Sequence, residues 1–320
     1  MELNKNKHLN DVLESHKMRH IKNFSSKVLN KKLEIIQKLA KHYSTPLRYD
    51  AFTSGSMAKH TAINIKFDYD VVQPFKRSAF NTLSEMFDDV FSFLEEEYKG
   101  VASVRKQKVS VGIEFPQEDD DRYSICIDVV PGREVSQEDF SRTKALNLYY
   151  NEDVWGFKKG SYQKTNISAQ IEHIREKEQE RQIIRLLKIW KRHHQRGYKS
   201  FMVELICIKA FDGYTGNTSL WDRLKFAMEY IRDHITDESF HLYDPGNSGN
   251  DLMASMEYRN KSALKADMVS ILNNIEQNAS VYLPYYFPIN DEFDPNNDDG
   301  YKRKDSSETI SYPRSPQRFG

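Results

Sequence analysis

The stretch FTSGSMAKHTAINIKFDYDVV, Phe52 to Val72, decides how this chain is read. An apolar strand runs into Gly55-Ser56, which opens a helical turn, and a second apolar strand then carries Asp68 and Asp70. Side chains alternate along a strand, so the two carboxylates share one face while Phe67, Tyr69 and Val71 take the other. Backbone N–H groups and a serine hydroxyl at the start of such a helical turn point at an anion, as a phosphate site requires.

A third carboxylate lies in YSICIDVVPG, where Asp128 is bounded by Ile125, Cys126, Ile127, Val129 and Val130. An ionised carboxylate in so apolar a strand is costly unless paired or metal-bound, and three together repel one another. A divalent cation removes both penalties, and hard oxygen ligands select Mg²⁺ or Mn²⁺. Asp-x-Asp alone ordinarily marks a strand end or a solvated face. A phosphate-binding turn, a paired-carboxylate strand and a third carboxylate strand, in that order, say more.

The rest of the 320 residues sets the frame. With 38% hydrophobic and 29% charged residues, the chain is long enough for one composite domain or two. Its formal net charge is zero, which argues against a surface wholly committed to nucleic acid. The two cysteines, Cys126 and Cys207, sit in apolar runs, and no apolar leader is visible, so a reducing cytoplasmic setting is expected. The most apolar stretch, FMVELICIKAF, carries Glu204 and Lys209 and is shorter than the roughly 18 residues a membrane span needs.

Apolar positions at helical spacing from about Asn10 to Tyr43 predict one long basic helix, here residues 1–45, packing on both of the lobes formed by the remaining chain. Residues 46–165 alternate strand patterns with the helical FNTLSEMFDDVFSFLEEEY, the order of a small mixed sheet flanked by helices. Residues 166–290 are helical: IEHIREKEQERQIIRLLKIWKRHH begins acidic and ends basic, as the helix dipole favours, and KSFMVELICIKAF is a buried helix. Residues 291–320, polar and dotted with Pro, Gly and Ser, are expected to be a disordered tail. The pattern is α+β. The pair His193-His194 has no matching ligands and is read as an exposed helix end rather than a zinc site.

The motifs GSMAKHTAI, DYD and CIDVVP resemble the polymerase-beta-type nucleotidyltransferase core, and more closely its cyclic GMP-AMP synthase-like branch, the CD-NTases, with 2′-5′ oligoadenylate synthetases as cousins. The resemblance continues into a C-terminal helical lobe, covering about Phe52 to Leu252. It implies that Asp68, Asp70 and Asp128 are catalytic and hold two Mg²⁺ ions, with Mn²⁺ as a substitute. It further implies that Gly55, Ser56, Lys188 and Ser200 bind the donor triphosphate, that Phe201 stacks on its base, and that Asp244, in HLYDPGNSGNDL, sits beside the nucleotide pocket. Many relatives have a small residue before the motif threonine, whereas this chain has His60 before Thr61.

Each of these has a plainer use. Lys188 lies among many Lys and Arg, a pattern typical of solvated faces, Ser200 would serve as an N-cap, Phe201 as core and Asp244-Pro245 as a turn. The expected activity is nonetheless two-metal joining of ATP, GTP or both into a cyclic di- or oligonucleotide for bacterial antiphage signalling. The alternatives are linear oligoadenylate synthesis, nucleotide transfer to an RNA end, a protein or a small molecule, and a catalytically dead binding module. A nucleic-acid activator is left open. The terminal Gly320 resembles the small terminal residue through which some CD-NTases are joined to other molecules by ubiquitin-ligase-like partners.

Overall fold

A computed structural model describes residues 3–66, 68–117, 124–151, 153–154, 157–158 and 161–293. The N-terminal segment forms two helices, α1 (Lys5–Ser15) and α2 (Lys22–His42), separated by a 3₁₀ turn at Met18–Ile21, instead of the single long helix its periodicity predicts. Tertiary hydrogen bonds cause the break. The Asn64 backbone N–H donates to His16 O at 3.1 Å, and its side-chain amide donates to Ser15 O at 2.9 Å and Lys17 O at 3.3 Å. Carbonyls that would continue the helix are thereby occupied from outside.

Next along the chain come β1 (Phe52–Thr53), the one-turn α3 (Gly55–Ala58), β2 (Tyr69–Phe75), α4 (Leu83–Glu97), β3 (Ser103–Lys106), β4 (Val111–Phe115) and β5 (Ile125–Glu134). After α5 (Phe140–Thr143) are β6 (Ala145–Tyr150), a small hairpin of β7 (Asp153–Val154) and β8 (Phe157–Lys158), and β9 (Ser161–Asn166). The main sheet runs β1-β2-β5-β4-β3, with β6 and then β9 continuing from the upper half of β5. Among the described residues only β2 and β5 pair in parallel, made possible by the crossover through α4 and the β3-β4 hairpin. The sheet is mixed, as expected. The strand expected around LRYDAFTSG reduces to two residues and an isolated bridge between Arg48 and Phe75.

Beyond the sheet lie α6 (Ile167–His173), α7 (Glu178–His193), α8 (Ser200–Ala210) and α9 (Leu220–His234). A β10 (Tyr243–Asp244) and β11 (Asn247–Asp251) ribbon precedes α10 (Tyr258–Gln277) and α11 (Ala279–Tyr286). The helical stretch IEHIREKEQERQIIRLLKIWKRHH is divided between two helices, with Glu176 at a left-handed φ of 63° between α6 and α7. The apolar residues divide into two main cores: Leu9, Val12 and Leu13 of α1 join α7–α11, whereas Val28, Ile35 and Leu39 of α2 join α4 and the sheet. Each fully buried aliphatic side chain contributes roughly 1.5–3 kcal/mol. The segment expected to form a tail starts with a 3₁₀ turn, Asp291–Phe293, whose Phe293 ring stacks on His20 at 5.0 Å. The remainder of that tail, Gly320 included, lies outside the described residues. Among the described residues no helix is long and apolar enough to cross a membrane.

The helix break carries a pH prediction. His16 is 1% exposed, and burial holds its pKa down at about 4. Its unfolded form binds a proton from about pH 6.5 downward, so stability is complete above that pH and is lost as pH falls toward 4, by about 3 kcal/mol in all. Melting temperature should therefore fall across this window, and more shallowly in His16→Asn. His8, His193 and His194 are lowered too, so a residual slope is expected.

Candidate active site

The register of β2 against β5 builds the site: Asp70 is directly opposite Asp128 on neighbouring parallel strands. Equivalent positions on paired strands point to the same face, so the two carboxylates meet. Asp68 lies just before β2 rather than within it, half-buried, and its charge acts on both. Burial first, then the charges of Asp128 and Asp68, push the Asp70 pKa up to about 8, against the pull of Lys59 and Lys188. Asp128 is pushed up to about 7 by burial and then by Asp68. Its Oδ1 accepts from Gln107 Nε2 at 2.9 Å, which works in the opposite direction. Gly112, opposite Asp128 on β4, leaves room for that amide, since a Cβ there would lie 2.4 Å from Gln107 Nε2.

Gly55 begins α3 at φ +66° and presses on Asp70, so that a Cβ would stand 1.7 Å from Asp70 Oδ2. The Ser54 N–H donates to Asp70 O at 3.0 Å and the Thr61 N–H to Ser56 O at 2.9 Å. Gly55 and Ser56 thus stand beside the acidic strand. His60 is in the left-handed region at φ 56°, which is strained for a residue with a side chain. Its carbonyl accepts from Arg185 at 3.3 Å.

In the helical lobe two lysines of α7 have different partners. Lys188 is 9% exposed and its Nζ donates to Thr61 O at 2.7 Å, so it is not on a solvated face; burial lowers its pKa to about 8. Lys191, one turn later, donates to Ser200 Oγ at 3.0 Å. Its pKa is lowered to about 8 by burial and then by Lys188, Lys66 and Arg192, a concentration of positive charge that an anion would relieve. Nothing in the sequence separates Lys191 from the many Lys and Arg at similar spacing in this helix; its proximity to Ser200 is tertiary. Ser200 is the first residue of α8, whose N-cap is Lys199. Phe201, half-buried, has the Lys59 ammonium over its ring at 4.3 Å.

Asp244 is buried, and its Oδ1 accepts from Gln170 Nε2 at 2.9 Å and from the Gly246 N–H at 2.8 Å. Through the Gly246 contact Asp244 closes the turn that Pro245 occupies.

No protein-family model matches the sequence, nor does any curated protein. Solved structures match over nearly the whole chain. CdnC of E. coli MS115-1, solved with ATP, superposes with a TM-score of 0.65 at 19% identity, over 88% of this chain and 96% of that one. The CD-NTase CdnG of Bradyrhizobium diazoefficiens, in complex with GTP, gives 0.68 at 13% identity, over 88% and 95%. The CdnE cyclic dinucleotide synthase of Elizabethkingia meningoseptica, with GTP and Apcpp, gives 0.56 at 14% identity, over 77% and 91%. The chain has the CD-NTase fold, a polymerase-beta-like core with a helical lobe.

Proposed function

We propose that this protein is a nucleotidyltransferase that joins NTPs, ATP or GTP or both, into a cyclic di- or oligonucleotide for antiphage signalling in the cytoplasm. The observation that carries the reading is the in-register pair Asp70–Asp128 with the Gly55 backbone closed against Asp70. ATP- and GTP-bound CdnC and CdnG, and the cyclic dinucleotide synthase CdnE, support it through the shared fold. In this reading residues 46–165 are the catalytic lobe and 166–290 the nucleotide-binding lobe.

The donor set fits Mg²⁺ or Mn²⁺. It consists of carboxylates, and the raised Asp70 and Asp128 pKa values mark a place short of positive charge. As the side chains stand, no three His, Cys, Asp or Glu among the described residues converge into a finished cation cage. Asp68, Asp70 and Asp128 would hold two ions. Bound there, divalent ions supply Lewis-acid activation of the acceptor ribose hydroxyl and neutralise the leaving pyrophosphate. Gln107 orients Asp128, and in this reading Asp128 takes the acceptor proton. Gly55 and Ser56 offer the phosphate-binding turn, while Lys191 and Ser200 hold the donor's outer phosphates and Phe201 offers a ring to its base.

Lys191→Ala should weaken NTP binding about 10- to 100-fold, in a salt-sensitive manner, because lost charge-assisted hydrogen bonds to phosphate are worth about 1.5–3 kcal/mol. Titration of a fluorescent NTP at two salt concentrations checks this, and unchanged affinity would return Lys191 to an ordinary helix face. For the function itself, α-³²P-labelled NTPs incubated with the protein should give a product on thin-layer plates that releases no labelled phosphate and keeps its mobility after phosphatase treatment. A ladder that shifts in mobility and releases its terminal labelled phosphate on phosphatase treatment would favour linear oligonucleotide synthesis, and label fixed to added RNA would favour end transfer.

A further inference from the structure

Lys59 closes the turn that begins at Gly55, yet its ammonium points into the helical lobe. Lys59 is 6% exposed and Glu204 of α8 is 5% exposed, and their Nζ and Oε1 atoms are 2.8 Å apart. Residues 145 positions apart in sequence are thus joined by a buried ion pair between the sheet lobe and the helical lobe. The next two residues lean the same way, with His60 O on Arg185 and Thr61 O on Lys188. Of these three cations only Lys59 meets a side-chain carboxylate at its contact with the other lobe. The charge of Lys59 also reaches Asp70.

A buried ammonium that loses its carboxylate is strongly driven to find another. Asp70, whose carboxyl already feels that charge, is the carboxylate a divalent cation would need. We infer that Glu204 is a positioning residue: it holds the Lys59 ammonium against α8 and off Asp70, and it steadies the turn that sets Gly55 against the Asp70 carboxylate. The inference rests on the nucleotidyltransferase reading for the cation it protects. Glu204 lies in the apolar run FMVELICIKAF, where its charge looks out of place in the sequence, and the Lys59 contact accounts for it.

The test is Mn²⁺ binding without turnover, followed by the loss of the free-ion electron paramagnetic resonance signal, with circular dichroism melting to confirm that each variant is folded. Glu204→Gln, which keeps shape and removes charge, should weaken Mn²⁺ binding about 10- to 100-fold, the usual effect of disturbing groups that orient metal ligands. Glu204→Asp, which draws the carboxylate back by one methylene, should shift it less in the same direction and serves if the Gln variant does not fold. Lys59→Met combined with Glu204→Leu removes the competing ammonium and should bring affinity back to within about threefold of wild type, because replacing both members of a buried pair is often close to neutral. Wild-type affinity in Glu204→Gln, or a double variant as weak as the single one, would overturn the inference. A wild-type protein that binds Mn²⁺ as described but makes no nucleotide product would instead refute the function proposed above, and one that binds no Mn²⁺ would refute both.

Discussion

Asp70→Asn and Asp128→Asn should each lower nucleotide transfer by at least about a thousandfold while leaving the fold intact, and Asp68→Asn should do the same. The loss comes from removing one ligand of a shared site, which displaces every reacting group held there. Stability should move the other way for the buried pair. Asp70 and Asp128 both have folded pKa values above that of a free aspartate, because burial and neighbouring carboxylates disfavour their ionised forms. At neutral pH the unfolded chain ionises them freely and the folded chain does so at a cost, so an uncharged Asn at either position relieves repulsion. Initial rates and melting temperatures measured side by side without divalent ions check this. Activity collapses while the melting temperature holds or rises. Wild-type turnover in any one of the three variants would remove that residue from the site.

Gly55→Ala has the second largest expected effect for the addition of one methyl group. The new Cβ would lie 1.7 Å from Asp70 Oδ2, and the backbone φ of +66° is already unfavourable for any residue with a side chain. Something must yield, and the neighbours of that methyl are the turn offered to phosphate and the carboxylate it faces. A rate loss of about 100-fold or more is expected, comparable to losing one transition-state donor, with a modest drop in melting temperature. Steady-state kinetics would place the loss mainly in kcat. A Gly55→Ala protein with wild-type kinetics would show that the turn does not need to stand against the acidic strand.

The acidic core of the site was legible in the sequence for a local reason. Strand alternation fixes which way Asp70 and Asp128 point, and the apolar residues around each identify the strands; only their register, Asp70 against Asp128, required the structure. Features that depend on tertiary hydrogen bonds were not legible. Helical periodicity from Asn10 to Tyr43 is real on both sides of His16, but Asn64, far along the chain, captures the carbonyls at the break. Lys188 and Lys191 are similar by composition. The structure separates them by partner, Thr61 O for one and Ser200 Oγ for the other. Gln107 lies in the hairpin turn between β3 and β4, and nothing in KQKVS marks it as the residue that orients Asp128.

The central claim is that the turn at Gly55 and the strands bearing Asp70 and Asp128 form one site for making phosphodiester bonds in a ring. Purified protein incubated with Mg²⁺ and the four NTPs, with accurate-mass analysis of products and assay of released pyrophosphate, tests it most directly. The predicted result is a product whose mass is a whole number of nucleoside monophosphates less one water for each linkage, with no terminal triphosphate, one pyrophosphate per linkage, and none of it in the Asp128→Asn variant. Pyrophosphate no higher than in that variant, or products that keep a terminal triphosphate throughout, would contradict it.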